Sequence, residues 1–378
     1  MTGSIRQRIT ANGVRYQAVI EGGTDVKTGK RERTFRTFSS KKEALMYLNE
    51  CISDYNKGRY VHPSDITVEM LCEEWMKGHF LTVKENTKRG YRVNIYNHII
   101  PYLGNIRVQK LSTRDIQEMV NAMVGNGLSP RTVKYVMTNL HQILEFAVSN
   151  DYIVKNPAKY VVLPRQSKYK ASIYTVDELK TMLKYAQGTK LETPLIIESF
   201  TGLRKGELLA LRWQDVNFEK NTITVEQNLV RVDSETIFTT TKTESGERTI
   251  AIPAILADYL KNWKVRQARQ RLKLGKDYND NGLIVCKENG EPFNPNTFSV
   301  NFLNFLRRNG LKEIRFHDLR HTHATLLLVE YNANIKTVSD RLGHSKVQTT
   351  MDFYVGSTVT AQKEAVDRLG TDLTAKTG

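Results

Sequence analysis

Residues 201–213 read Thr-Gly-Leu-Arg-Lys-Gly-Glu-Leu-Leu-Ala-Leu-Arg-Trp, and this stretch decides how the second half of the chain is interpreted. Gly202 is typical of a turn, and the spacing predicts that Arg204 lies in the first turn of a helix whose leucines face a core. An arginine at a helix start presents a rigid fork of donors to a phosphate. Glu207, one turn later, is expected to hold that guanidinium in position. The stretch therefore predicts an anchored, phosphate-gripping arginine.

Two segments further along the chain add more basic groups. Residues 239–250 predict a β-hairpin with Lys242 near its tip. Residues 317–328 read His-Asp-Leu-Arg-His-Thr-His-Ala-Thr-Leu-Leu-Leu and predict a helix. On this helix His317 and Arg320 lie three positions apart and so share a face. The pair adds a second guanidinium and an imidazole to the chemistry-bearing residues.

The last segment is Arg-Leu-Gly-His-Ser at residues 341–345, which precedes Asp-Phe-Tyr at 352–354. Tyr354 is the candidate nucleophile. Tyr331 is the nearest alternative tyrosine, but it lies in an apolar run and we predict that it belongs to the core. A phenol of pKa about 10 is a weak nucleophile at neutral pH and needs a base or strongly positive surroundings. Two arginines supply that field without a metal.

Each segment taken alone also fits a role without chemistry, such as a solvent-exposed helix end or an ordinary lysine in a hairpin. His317 and His321 have the i,i+4 spacing of a zinc helix, but such a helix needs Glu directly after its first His, and Asp318 stands there. A guanidinium between two ligands would also repel a divalent cation. The glycine-rich loop at residues 23–31 lacks the spacing of a phosphate loop. We therefore predict no metal and no cofactor.

Together and in this order, the segments resemble those of the tyrosine recombinases, the lambda-integrase-like site-specific recombinases. The resemblance covers residues 172–360 and rests on Thr-Gly-x-Arg-x-x-Glu, a hairpin lysine, His-x-x-Arg-His, Leu-Gly-His and a tyrosine. Many relatives follow the tyrosine with x-His, whereas Val-Gly-Ser follows Tyr354. The overall plan is closest to integrases of conjugative transposons and temperate phages. It implies an enzyme that integrates and excises a mobile element.

The resemblance also implies a set of catalytic residues and their roles. The residues are Arg204, Lys242, His317, Arg320, His344 and Tyr354. The tyrosine would attack the scissile phosphodiester and form a 3′-phosphotyrosine with a free 5′-hydroxyl. The arginines would grip the non-bridging oxygens, the lysine would protonate the leaving oxygen, and the two histidines would assist the tyrosine and the phosphate. A homotetramer on two DNA duplexes and an accessory excision factor are implied as partners.

The remainder of the chain predicts a multidomain α+β protein with three domains, residues 1–60, 61–160 and 161–378. The first is a three-stranded sheet plus a helix. Its strands are predicted at 4–10, 14–20 and 31–38, with an Asn12-Gly13 turn between the first two, and a capping box at Ser40 begins the helix. The second is a helical bundle, followed by a proline-bracketed linker at residues 156–170. The third is mainly helical with a small sheet. By resemblance these are the arm-binding, core-binding and catalytic domains.

Arginines on the predicted N-terminal sheet alternate so that Arg6 and Arg8 share one face of the first strand, and Arg31 and Arg33 one face of the third. A sheet with an arginine-bearing face can enter a DNA major groove. A solvated sheet face explains the same pattern equally well from this segment alone.

Charge supports a polyanionic partner for the whole chain. The net charge is +16 over 378 residues and the excess is spread over every segment, which favours a protein that touches double-stranded DNA along its length. With three cysteines, no signal peptide and no apolar run of about 20 residues, a cytoplasmic location is expected. Rival classes are a non-catalytic DNA-binding protein, a topoisomerase-like enzyme and a metal-dependent nuclease. All the residues of the catalytic set are present, and no carboxylate cluster supports the nuclease.

Overall fold

The structure is a computed structural model that describes most of the chain. The described residues are 2–10, 13–24, 31–57, 61, 64–166, 172–232, 235–240, 246–354 and 367. The chain divides into two compact units, Met1–Lys168 and Tyr169–Gly378. No helix among these described residues is both long enough and apolar enough to cross a membrane.

The N-terminal sheet is antiparallel, with the order β1 (Thr2–Thr10), β2 (Gly13–Thr24) and β3 (Arg31–Phe38). The predicted third strand has the same bounds. The first hairpin also forms, but Thr10 pairs with Gly13, so its connection is residues 11 and 12, which lie outside the described residues. The helix α1 (Lys41–Asn56) follows and begins with the predicted capping box, in which Ser40 and Glu43 bond each other's backbone N–H groups.

The two faces of this sheet differ in character. Ile20 packs against Leu48 and Cys51 of α1 on one face. Gly3 lies on that same face, and a Cβ at this position would come within 2.2 Å of Leu48, so glycine permits the close approach. Because cross-strand partners share a face, the opposite face carries a group of arginines. They are Arg6, Arg8, Arg15 and Arg33.

The rest of the first unit is a helical bundle around one core. Its helices are α2 (Val68–His79), α3 (Glu85–Asn94), α4 (Ile100–Leu103), α5 (Thr113–Gly125) and α6 (Pro130–Ser149). A π-helical turn, Ile95–Ile99, joins α3 to α4. The start of α6 has Ser129 as N-cap and Pro130 in the first turn, an arrangement that satisfies the exposed N–H groups of a helix start.

The second unit is mainly helical and is also built around one large core. Its helices are α7 (Val176–Ala186), α8 (Glu192–Thr201), α9 (Lys205–Ala210), α10 (Ala254–Leu274), α11 (Pro295–Arg308), α12 (Phe316–Thr325), α13 (Ile335–Leu342) and α14 (Val347–Tyr354). The predicted fold class, a small sheet plus helix, a helical bundle and a mixed, mainly helical unit, is thus confirmed.

The strands between α9 and α10 form two separate small sheets. One contains β4 (Val216–Asn217), β5 (Thr222–Val225) and β8 (Arg248–Ala251), and the other pairs β6 (Gln227–Val232) with β7 (Glu235–Thr240). The prediction of a hairpin over residues 239–250 is therefore wrong. The strand β8 pairs with β5 because Ile223 and Ile250 face each other and are both buried in the core. Lys242 lies outside the described residues.

Candidate active site

The turn before α9 positions Arg204. Helix α8 ends at Gly202, whose φ of +62° is a left-handed conformation that favours glycine. A Cβ there would also come within 2.6 Å of the His323 ring. Arg204 is the N-cap of α9, one residue before the predicted position, and its guanidinium donates through Nη1 to Glu207 (2.7 Å). The predicted clamp by Glu207 is therefore present.

Glu207 is buried and serves two guanidiniums at once. Besides Arg204, it accepts hydrogen bonds from Arg248 at 2.9 and 3.3 Å. Burial alone would raise the pKa of the Glu207 carboxyl, but the hydrogen bonds from Arg248 and the charges of Arg248 and Arg204 outweigh it and lower that pKa. A buried carboxylate therefore holds two cations in fixed positions.

Arg320 lies on α12 and is 2% exposed. Its guanidinium donates through Nη1 to the Gly202 carbonyl (2.7 Å) and through Nη2 to the Leu342 carbonyl (2.6 Å). Burial and the nearby Arg204 cation lower the pKa of Arg320. A guanidinium with an ordinary pKa above 12 nevertheless stays charged near neutral pH. The predicted i,i+3 relation of His317 and Arg320 on one helix holds in the structure.

The end of α13 brings the two guanidiniums together. Arg204 donates through Nη2 to the Gly343 carbonyl (2.6 Å), and Arg320 binds the carbonyl of the preceding residue, Leu342. Gly343 has a left-handed φ of +66° at this helix end. A guanidinium has five N–H donors, so donors remain for an oxyanion. The Arg204 side chain is 38% exposed, which leaves it accessible to a ligand.

His344 and His317 are both predominantly neutral at pH 7. His344 follows Gly343, and its Nδ1 lies 2.8 Å from Thr350 Oγ1. Burial and the charges of Arg320 and Arg204 lower the pKa of His344 to about 3. His317 is an exposed residue, yet desolvation of its ring and the charges of His321 and Arg320 lower its pKa to about 4. A neutral imidazole can accept a proton or donate a hydrogen bond.

Tyr354 is the last residue of α14, a helix that packs against α13 and α12. Helix α12 carries Arg320 and α13 ends two residues before His344, while the side chain of Tyr354 lies outside the described residues. The prediction that Tyr331 belongs to the core is wrong. Tyr331 is 65% exposed because it follows the π-helical turn Leu326–Glu330 at the point where the chain leaves the helix.

Sequence reasoning missed a second layer of basic residues. Arg341 donates through Nη2 to the Phe200 carbonyl (2.7 Å), through Nη1 to the Ala251 carbonyl (2.8 Å) and through Nε to His323 Nε2 (3.2 Å). Arg248, already bonded to Glu207, also donates to the Arg341 carbonyl (2.7 Å). Both arginines tie the ends of α8, β8 and α13 together. In the sequence each of them is simply an arginine next to apolar residues, a pattern that does not indicate its distant partners.

A fully buried carboxyl group, that of Glu198, lies beneath this layer. Among the described residues no donor reaches either of its oxygens. Burial, only partly opposed by the charge of Arg320, raises the pKa of Glu198 well above its ordinary value. Burial therefore favours the uncharged form of this carboxyl group over the carboxylate.

Comparison with known proteins finds two matching family models. The model described as the phage integrase family matches residues 173–360, and that described as the phage integrase N-terminal SAM-like domain matches residues 67–124. The first therefore spans the arginines, histidines and candidate tyrosine described above.

Similar proteins cover nearly the whole chain. The ICEBs1 integrase of Bacillus subtilis is 29% identical over 94% of this chain and 96% of its own length. A XerC-like tyrosine recombinase of Caldanaerobacter subterraneus is 29% identical over 94% and 95%. Among solved structures, the Tn1549 transposon integrase in complex with transposon right end DNA matches with a TM-score of 0.70 at 24% identity, over 81% of this chain and all of that one. At this identity the structural match speaks for the fold.

Proposed function

Because this chain belongs to the phage integrase family, the tyrosine recombinases of the lambda-integrase type, we propose that it cuts and rejoins DNA with Tyr354 as the nucleophile. It is a site-specific recombinase that integrates and excises a DNA element.

One observation carries the assignment of the residues. The guanidinium of Arg320 donates to the Leu342 carbonyl and that of Arg204 to the adjacent Gly343 carbonyl, directly before His344. Two fixed cations with donors to spare form a site for a phosphate whose charge grows during the reaction. The helix that ends at Tyr354 packs against α12, which carries Arg320, and against α13, whose end both guanidiniums bind.

The proposed reaction conserves the energy of the phosphodiester. The Tyr354 oxygen attacks phosphorus, the bond to the 5′-oxygen breaks, and the DNA is left with a 3′-phosphotyrosine and a 5′-hydroxyl. His317 takes the phenolic proton, and Lys242 gives a proton to the leaving oxygen. Arg204, Arg320 and His344 stabilise the phosphate oxygens. A second 5′-hydroxyl then reverses the step on a new strand.

We expect covalent trapping without added metal, because fixed guanidiniums supply the charge that a divalent cation supplies elsewhere. On a nicked suicide duplex that carries the core site, the chain should form a covalent protein–DNA adduct in a single turnover. The yield should be the same within about twofold in chelator. No adduct at all, or an adduct that appears only with Mg²⁺ or Zn²⁺, would contradict the proposal.

We propose the partners from the three domains that the sequence predicts. We assign residues 61–160 and 161–378 to the core site of double-stranded DNA and residues 1–60 to separate arm sites, with four copies acting on two duplexes in the cytoplasm and an accessory excision factor. The lambda integrase, a structure that matches at 20% identity, is a tetramer bound to a Holliday junction. Support for the arm assignment comes from the sheet face with Arg6, Arg8 and Arg15.

Neutralising two arginines of that sheet face should separate arm binding from core cleavage. In the full-length protein, R6Q/R8Q should weaken binding to a DNA fragment that flanks the gene for this protein and lacks the core site. The salt dependence, as log K against log salt, should become shallower by about 2 if each arginine meets one phosphate. Core cleavage should be unchanged because these arginines are not part of the cleavage site.

The matched control is K41Q/K42Q, which removes the same charge from the exposed start of α1. Electrophoretic shifts across a salt series measure both variants. Equal behaviour of the two double variants would remove the sheet face from the arm-binding assignment.

A further inference from the structure

Helix α10 and the turn that follows it carry a concentration of basic residues that the cleavage reaction does not use. Residues 259–276 contain no Asp or Glu but seven cations, here called the α10 basic face: Lys261, Lys264, Arg266, Arg269, Arg271, Lys273 and Lys276. All seven are exposed to solvent. The side chains at positions 263, 267, 270 and 274 form the less exposed stripe of the helix. The basic residues therefore point outward.

Part of the α10 basic face has acidic neighbours at its margins, and part has none. The ion pairs are Lys261–Asp258 (3.1 Å), Arg266–Glu192 (3.9 Å) and Arg271–Asp280 (2.5 Å). Lys264 lies over the Trp213 ring at 5.5 Å. Arg269, Lys273 and Lys276 make no ion pair with any described residue. Three cations on successive turns thus form no ion pair within the described part of the chain.

Helix stability accounts for only part of this arrangement, since Lys273 lies in the last turn of α10 but Arg269 does not. Cations in the last turn favour the negative end of a helix dipole, but that effect reaches only the final turn. Like charges at i,i+3 and i,i+4, such as Arg266 with Arg269 and Arg269 with Lys273, destabilise a helix. A bound polyanion removes this repulsion and gains counterion release.

The position of the helix separates the basic face from the cleavage site. The start of α10 lies beside the site, since Arg341 donates to the Ala251 carbonyl just before it. The helix then passes the beginning of α8, where Arg266 meets Glu192, and α8 ends near the catalytic arginines. Lys273 is therefore about 28 Å along α10 from its start, at 1.5 Å per residue. A duplex that ran along the helix would span this length in about eight base pairs, at about 3.4 Å per base pair.

We propose that the α10 basic face binds the phosphate backbone of the duplex being cleaved, about eight base pairs or more from the scissile phosphate. The inference rests on the proposed function, because it takes that duplex as the substrate. The face acts as a sequence-independent clamp: Arg269, Lys273 and Lys276 make no ion pair with any described residue, and phosphates are the anions that the substrate offers at that distance.

The test is the full-length triple variant R269Q/K273Q/K276Q on duplexes lengthened stepwise, first on one side of the scissile phosphate and then on the other. Wild-type affinity should rise when one side passes about eight base pairs. The variant should lack that rise, bind the long duplex at least about tenfold more weakly in 0.1 M salt, and have a salt dependence lower by roughly 2 to 3. Its cleavage of a short, saturated core substrate should equal that of the wild type.

The control K180Q/R307Q/K336Q removes the same charge from residues that already have acidic partners. It should keep the length-dependent rise. A triple variant with the wild-type rise, or with an equal loss at every length, would overturn the clamp. Absence of covalent adduct in all proteins, with the rise still present in the wild type, would instead count against the proposed cleavage chemistry alone.

Discussion

Replacement of Tyr354 by Phe should abolish the covalent protein–DNA adduct and leave DNA binding nearly intact. The substitution removes one oxygen, and with it the only atom that can form the phosphotyrosine. Loss of a nucleophile costs on the order of 10⁴ to 10⁶ in rate. Binding depends on Arg204, Arg320 and the basic surfaces, which the substitution does not touch. Denaturing gels on a nicked suicide duplex measure the adduct, and electrophoretic shifts measure binding.

Tyr331 offers a matched control for this experiment, because it is exposed and precedes α13 in the same unit. Tyr331→Phe should form the adduct at the wild-type rate. Peptide mapping of the trapped DNA then identifies the attacking residue directly. An adduct that persists in Tyr354→Phe and maps to a different tyrosine would show that the nucleophile has been assigned incorrectly.

The features predicted correctly from sequence are those that depend on neighbouring residues. The strand β3 has its predicted bounds, and α1 begins at the predicted capping box. The clamp of Arg204 by Glu207 also connects residues three positions apart. Such contacts follow from helix and strand geometry alone, and this local geometry can be predicted from the spacing of residues in the sequence.

The features that sequence reasoning missed depend on distant partners. Arg248 binds Glu207, which is 41 positions away, and Arg341 binds the Phe200 carbonyl, 141 positions away. The strand β8 pairs with β5 rather than with β7, which precedes it in sequence. The hairpin of β6 and β7 lies between β5 and β8 in the chain and forms a sheet of its own. A side chain that binds a backbone carbonyl across the fold leaves no spacing pattern. The roles of Lys242 and Tyr354 stay predictions from the resemblance.

Contacts with distant residues hold the guanidiniums of Arg204 and Arg320 in fixed positions. Arg320 holds the Gly202 turn and the end of α13 at once, and Arg204 reaches the same helix end from the other side. The two guanidiniums are therefore fixed by neighbouring carbonyls, those of Leu342 and Gly343, at the end of the same helix. Donors set in place before the phosphate arrives need no reorganisation during the reaction, which is the main source of electrostatic catalysis.

Arg320→Lys should consequently lower single-turnover cleavage by at least about 10³, although the charge is conserved. Removal of one preorganised donor costs about 10² to 10³ in other enzymes. A lysine has no planar fork and cannot bind the carbonyls of Gly202 and Leu342 while also gripping a phosphate. One buried carbonyl is then left without a partner, which should lower the free energy of unfolding by about 1–3 kcal/mol.

The stability loss must be separated from the chemical loss, so thermal unfolding and DNA binding are measured on the same preparations, and cleavage is compared well below the melting temperature. Arg315→Lys is the matched control: Arg315 precedes the same helix, but its side chain is largely exposed and pairs with Asp318. It should cleave within about threefold of wild type. If Arg320→Lys folds and also cleaves within about tenfold of wild type, charge alone is sufficient at this position, and the fixed guanidinium fork is not what stabilises the transition state.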